Sequence, residues 1–176
     1  PTGPSSDLLY RSAEENNWYP DIEDIKSKIT GRTRGIVIIN PNNPTGAVYS
    51  REILQQIADV AREHELVVFA DEIYEKITYE GAEAINMATI TGDDVLCMTF
   101  SGLSNAYRVC GYRAGWLAIT GPKEDAKNYS EGITLLASMR LCSKLPDPHA
   151  IQPALGSYQS IDEIVDTGRR PSVQRN

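Results

Sequence analysis

The sequence predicts an α/β fold: a mostly parallel sheet flanked by helices. Three observations carry that prediction. Gly35-Ile36-Val37-Ile38-Ile39 and Leu66-Val67-Val68-Phe69-Ala70 are short, unbroken apolar runs rich in β-branched residues, as expected of strands buried on both faces. Between them, Ile53, Leu54, Ile57, Val60 and Ala61 recur at helical spacing, which gives that segment one apolar face to pack on a sheet. A strand, a helix and a second strand in this order form the crossover that parallel strands require.

The elements follow in order. Residues 1–21 are rich in Pro, Ser, Asn and Asp and read as irregular, with Tyr19-Pro20-Asp21 as a turn. Asp21 is placed to cap a short helix over Ile22–Ile29 that stops at Gly31. The first strand ends in Asn40-Pro41-Asn42-Asn43-Pro44-Thr45-Gly46, a turn-forming loop. Ser50 caps the next helix, which runs to about His64, and the second strand ends on Asp71. Region 80–93 reads as loop. Val95–Phe100 is the third strand, 101–113 a loop, and Ala114–Thr120 the fourth strand, stopped by Gly121-Pro122. Lys123–Leu141 returns to a helical pattern. Asp147-Pro148 then looks like the cap and first-turn proline of a helix towards Ile164, with Pro153 an awkward interior residue. The chain thus divides into 1–21, an α/β portion at 22–145, and a helical segment at 146–176, whose last ten residues show no clear pattern.

The 176 residues are 41% hydrophobic and 23% charged, enough for one domain with a real core. A net charge of −7 argues against nucleic acid or an anionic membrane surface as partner. No apolar run approaches a membrane span, and no signal stretch opens the chain. Three scattered cysteines, Cys97, Cys110 and Cys142, and two histidines, His64 and His149, show no metal-ligand spacing. A cytoplasmic protein is the expectation. His64 reads as a solvated helix-end residue, and Tyr107 and Trp116 as packing residues.

In parallel sheets, ligands bind outside the carboxyl ends of the strands. Asn43 falls there after the first strand, Asp71 after the second, and Ser101 and Ser104 after the third, so three scattered signals point to one site. Each is weak alone: Asn43-Pro44-Thr45-Gly46 reads equally as a connecting turn, Asp71 as a turn cap, and Arg113 as a surface arginine.

In this order and strand context they resemble something specific. The strand-Asn-Pro-Thr-Gly loop, the strand-Asp-Glu-Ile-Tyr element and Ser-x-x-Tyr-Arg-Val-x-Gly-x-Arg-x-Gly-Trp match the large domain of fold-type I aminotransferases that use pyridoxal 5′-phosphate (PLP). Asn40–Tyr49 and Leu135–Cys142 are most similar to the alanine aminotransferase branch. The resemblance covers most of residues 20–145 and implies a partial large domain of the aspartate aminotransferase-like fold, with 146–176 leading towards a small domain outside this chain. It implies that Asp71 faces the pyridine nitrogen and keeps it protonated, and that Asn43 and Tyr74 bond the ring's phenolic oxygen. It further implies that Arg113 holds the phosphate, with Ser104 and, less directly, Ser101 adding hydroxyls. Many relatives carry a serine where this chain has Gly102, a departure that weakens the serine assignments. The implied substrates are a small amino acid and a 2-oxo acid, and the implied full-length state is a homodimer.

One residue departs from the pattern at its centre. Arg113 stands eight residues after the position of the family's Schiff-base lysine, and that position is Asn105. The lysine links to the cofactor and then shuttles a proton, and both tasks need a basic lone pair. The amide nitrogen of Asn105 has none, because its lone pair is delocalised into the carbonyl. Loss of the acid–base task alone costs about 10²- to 10⁴-fold in rate. Lys76 is no substitute on spacing. The expectation is therefore a chain of transaminase type, acting by resemblance on alanine-like amino acids but inactive as written, and holding PLP noncovalently if at all. The alternatives are a non-catalytic PLP- or ligand-binding relative and a PLP-dependent β-lyase. Asn105 is equally readable as a change from lysine or as the mark of a naturally lysine-less member.

Overall fold

The computed structural model describes residues 9–79, 81–139 and 146–156. Four strands form one sheet in the order β1 (Gly35–Ile39), β2 (Val67–Asp71), β3 (Cys97–Gly102) and β4 (Gly115–Thr120). β1 and β2 are parallel, in register from Gly35 opposite Val67 to Ile39 opposite Asp71. β2 and β3 are also parallel, with Asp71 opposite Phe100. β4 runs antiparallel to β3, placing Gly115 beside Gly102. The sheet is thus mixed, and its antiparallel last strand starts beside the carboxyl end of β3 and runs back towards its amino end.

The helices are α1 (Ile22–Lys28), α2 (Arg51–Glu63), α3 (Ala88–Thr91), α4 (Leu103–Ala106), α5 (Lys127–Met139) and α6 (Pro146–Gly156). The caps on α1 and α2 form as the sequence predicts. The Asp21 carboxylate accepts from the Asp24 N–H at 3.0 Å, and the Ser50 hydroxyl oxygen accepts from the Ile53 N–H at 3.4 Å. Each satisfies one of the donors a helix start leaves unpaired. The apolar stripe of α2 is buried against one face of the sheet: Leu54, Ile57, Ala58, Val60 and Ala61 pack with Ile36, Ile38, Val68, Ala70 and Cys97. On the opposite face Val37 stays 59% exposed and Phe100 37%.

Four expectations need correction. Region 80–93 contains α3, which starts where the Asn86 side-chain oxygen accepts from the Ala88 N–H at 3.0 Å and buries Ile90 and Thr91. One turn is too short to show a hydrophobic period. β3 extends through Ser101 and Gly102, because pairing with β4 supplies a partner the local sequence does not reveal. The expected loop after it contains α4 and a 3-10 turn, Cys110–Tyr112. The last helix begins at Pro146, so Asp147 and Pro148 lie in its first turn, where a proline forfeits no intrahelical bond. Pro153 is inside that helix. The extension towards Ile164, and Arg140, Leu141 and Cys142, lie outside the described residues. Within the opening segment, Glu14–Asn16 forms a 3-10 turn and Ser12 bridges Pro20.

Candidate functional site

The site residues project from the carboxyl ends of β1, β2 and β3 and from the turn that enters β4. The loop after β1 folds on itself: the Thr45 hydroxyl donates to the Asn42 side-chain oxygen at 2.8 Å, and the Asn42 amide donates to the Tyr49 hydroxyl at 3.1 Å. This leaves Asn43 exposed at the tip. Its amide reaches the next loop and donates to the Tyr74 hydroxyl at 2.8 Å. Two residues 31 apart in sequence are thereby brought together.

Asp71 closes β2, half-buried between Ile39 and Phe100 of its neighbouring strands. One carboxylate oxygen accepts from the Ile73 N–H at 3.2 Å. Arg113 follows the 3-10 turn with a left-handed backbone, φ 56°, a conformation rare outside glycine and concentrated at functional sites. That bend turns its guanidinium back, so that Nη1 donates to the Cys110 carbonyl at 3.0 Å and to the Ser104 hydroxyl at 3.4 Å. Arg113 and Ser104 are the second pair that the fold assembles.

Ser101 lies within β3, 7% exposed, and its hydroxyl donates to Glu75 at 3.3 Å; the fold directs it at that carboxylate and not at the Arg113–Ser104 pair. Asn105 sits half-buried in α4, beside Ser104 and ahead of Arg113. Lys76 lies with its ammonium 5.3 Å from the centre of the Tyr107 ring, a cation–π contact that turns it towards the end of α4.

The donor set fits a ligand with one anionic and one cationic end. Among the described residues neither Asp71 nor Arg113 belongs to an ion pair. An arginine beside a hydroxyl is the donor pair a phosphate takes. A half-buried carboxylate without a cation suits a protonated ring nitrogen. These are the two ends of PLP, and the Asn43–Tyr74 pair adds an amide and a phenol.

The layer beneath was not read from the sequence. Glu72, 3% exposed, accepts from the Met87 N–H at 2.7 Å and from the Asn86 side-chain amide. Burial, joined by the nearby Glu75 and Asp71 carboxylates, pushes its pKa up to about 7 against the two donors. Asn40, 2% exposed, donates to the Ile85 carbonyl at 3.5 Å and accepts from the Tyr49 N–H at 2.8 Å. The signal for Glu72 was its place two residues after Ala70 and four after Val68, on the buried face of the strand.

The fold and the donor set are those expected of a PLP-binding large domain, and comparison with known proteins shows the family. The family profile for class I and II aminotransferases matches residues 8–157; the chain belongs to that family. It is similar to the glutamate-pyruvate aminotransferase AlaA of Escherichia coli, 57% identical over 167 residues, or 95% of this chain and 41% of that protein. It is likewise similar to the alanine aminotransferase of Mycobacterium tuberculosis, 60% identical over 95% of this chain and 39% of that protein. The crystal structure of an aminotransferase from Escherichia coli superposes with a TM-score of 0.86 at 57% identity, covering 90% of this chain and 39% of that one. The chain therefore spans about two fifths of the length of the curated relatives it matches.

Proposed function

We propose that this chain carries the cofactor-holding part of an aminotransferase that exchanges amino groups between alanine or glutamate and a 2-oxo acid such as pyruvate. The names and identities of its relatives support that substrate class. In this reading Asp71 holds the proton on the ring nitrogen, Asn43 and Tyr74 orient the ring through its phenolic oxygen, and Arg113 with Ser104 binds the phosphate. Ser101, directed at Glu75, supports the strand end. When bound, PLP supplies an electron sink for the bond broken at the substrate's α-carbon. The full-length protein is proposed to act as a cytoplasmic homodimer.

Asn105 divides binding from turnover. It offers no basic nitrogen for a covalent link or for moving a proton at the α-carbon, so the chain as written is proposed to bind PLP reversibly and not to transaminate. The observation that carries the proposal is an acid and an arginine that belong to no ion pair among the described residues, Asp71 at the end of β2 and Arg113 just ahead of β4. The test is absorbance titration of the chain with PLP, followed by borohydride and dialysis. We expect reversible binding with no adduct mapped to the peptide that carries residue 105, and a retained adduct on that peptide in Asn105→Lys. No binding at millimolar PLP would overturn the cofactor reading, and stoichiometric trapping at one other lysine, such as Lys76, in the unaltered chain would overturn the role given to Asn105.

A further inference from the structure

Two buried polar side chains grip one segment. Asn40 follows β1 and bonds Ile85, and Glu72 follows β2 and bonds Asn86 and Met87. Each leads directly into a loop with a proposed ligand: Asn40 into the loop that carries Asn43, Glu72 into the turn that carries Tyr74. The main chain at the same place is stitched as well, with the Asn40 N–H donating to the Asp71 carbonyl and the Glu72 N–H to the Phe100 carbonyl. Ile85-Asn86-Met87 is thus a common floor beneath the strand ends. Met87 itself is 1% exposed, so this floor is embedded in the core and resists displacement.

We propose that Glu72 is a positioning residue for cofactor binding: by holding the Asn86–Met87 segment it fixes the strand end from which Asp71 and Tyr74 project. This deepens the functional reading given above and rests on it. Asp71 and Tyr74 lie on either side of Glu72 in the chain, so anchoring its side chain sets where both can point. The tether depends on the charge state of Glu72. As a carboxylate it accepts both donors. As an acid it must place its own O–H against one of them, and the one that can yield is the Asn86 amide. Turning that amide over removes the oxygen that accepts from the Ala88 N–H, which loosens the start of α3. The titratable groups bearing on Glu72 are Asp71 and Glu75 on its own segment and Cys97 from β3. Asn40 and Asn86 face the region as neutral amides. The raised pKa of Glu72 places the change near neutral pH, with the tether whole above it and released below.

Two measurements test this on the 176-residue chain. The first follows the Met87 amide by two-dimensional NMR from pH 5.5 to 8.5 without ligand. A sigmoidal shift in the unaltered chain and a flat line in Glu72→Gln are expected; a flat line in both overturns the tether. The second is the PLP dissociation constant across the same range, compared as the ratio of Glu72→Gln to the unaltered chain, so that the ligand's own ionisation cancels. The ratio should be about tenfold at pH 8 and approach one at pH 5.5, where the unaltered side chain is also neutral. A ratio independent of pH, which a purely structural role would give, overturns the proposal. Asn86→Ala cuts the same tether from the other side and should also weaken PLP at pH 8, whether or not Glu72→Gln folds well. Absence of PLP binding at every pH, with the Met87 shift still titrating, would overturn the link to the cofactor and the proposed function together. Normal PLP binding with a flat Met87 response would overturn only the tether.

Discussion

Arg113 is the residue whose role the geometry narrows most. A left-handed backbone and bonds to Cys110 and Ser104 hold its guanidinium in place, and a charge-assisted contact of this kind contributes about 1.5–3 kcal/mol. Because the group is exposed, the lower end applies: Arg113→Ala should weaken PLP about tenfold by absorbance titration and leave the urea midpoint unchanged. Glu72 makes a prediction of opposite character. Its pKa rises from 4.5 unfolded to about 7 folded, so between those values the folded state binds more protons than the unfolded state. Stability is then highest below pH 4.5 and falls as pH rises through 7. Between pH 5 and 8 the loss attributable to Glu72 is about 2–3 kcal/mol, read as a fall in the urea midpoint. Glu72→Gln should flatten that slope and be the more stable protein at pH 8. The tether that orders the strand end therefore lowers global stability, as buried charges at functional sites often do.

At the level of elements, α2 shows how local signals and packing divide the work. Its Ser50 cap is half-exposed and makes one bond at 3.4 Å, whereas Leu54 and Ile57 are wholly buried. Ser50→Ala should cost about 1 kcal/mol, and Leu54→Ala about 2–5 kcal/mol through lost burial and the cavity it leaves. Similar losses for the two in urea unfolding would contradict the placement of α2 over the sheet. α1 and α2 were legible because each carries a cap residue and, for α2, three turns of apolar periodicity. α3 and α4 were not, since four residues are too few for a period. They exist because the Asn86 side chain holds the Ala88 N–H at the start of one and β3 delivers the chain into the other. The extension of β3 to Gly102 was equally unreadable: its partner residues, Trp116 and Gly115, lie beyond an intervening turn.

Among the described residues, exposed apolar side chains include two groups, each sharing a surface. Val37 and Phe100 are open on one face of the sheet, and Leu135, Leu136 and Met139 of α5 are 64%, 69% and 71% exposed. Surface of this kind binds apolar dyes. The folded chain should therefore enhance anilinonaphthalene sulfonate emission, and Leu135→Gln with Leu136→Gln should lower it without changing the far-ultraviolet circular dichroism. Unchanged emission would mean that α5 is covered in solution. Among the described residues no helix is long and apolar enough to cross a membrane. The sequence by itself determined the cores of the four strands and the caps of α1 and α2, because hydrophobic period and turn chemistry are local and act through neighbouring residues; its resemblance to the aminotransferases marked the family and Asn43, Asp71, Tyr74, Ser101, Ser104, Asn105 and Arg113 as candidates. Only the tertiary structure decided which of them meet: Asn43 with Tyr74, Arg113 with Ser104, and Ser101 with Glu75. It also decided that Glu72 and Asn40 grip one segment from two strands. Such pairings depend on strand register and on the antiparallel return of β4, which arise from contacts between residues far apart in the chain and leave no periodic trace along it.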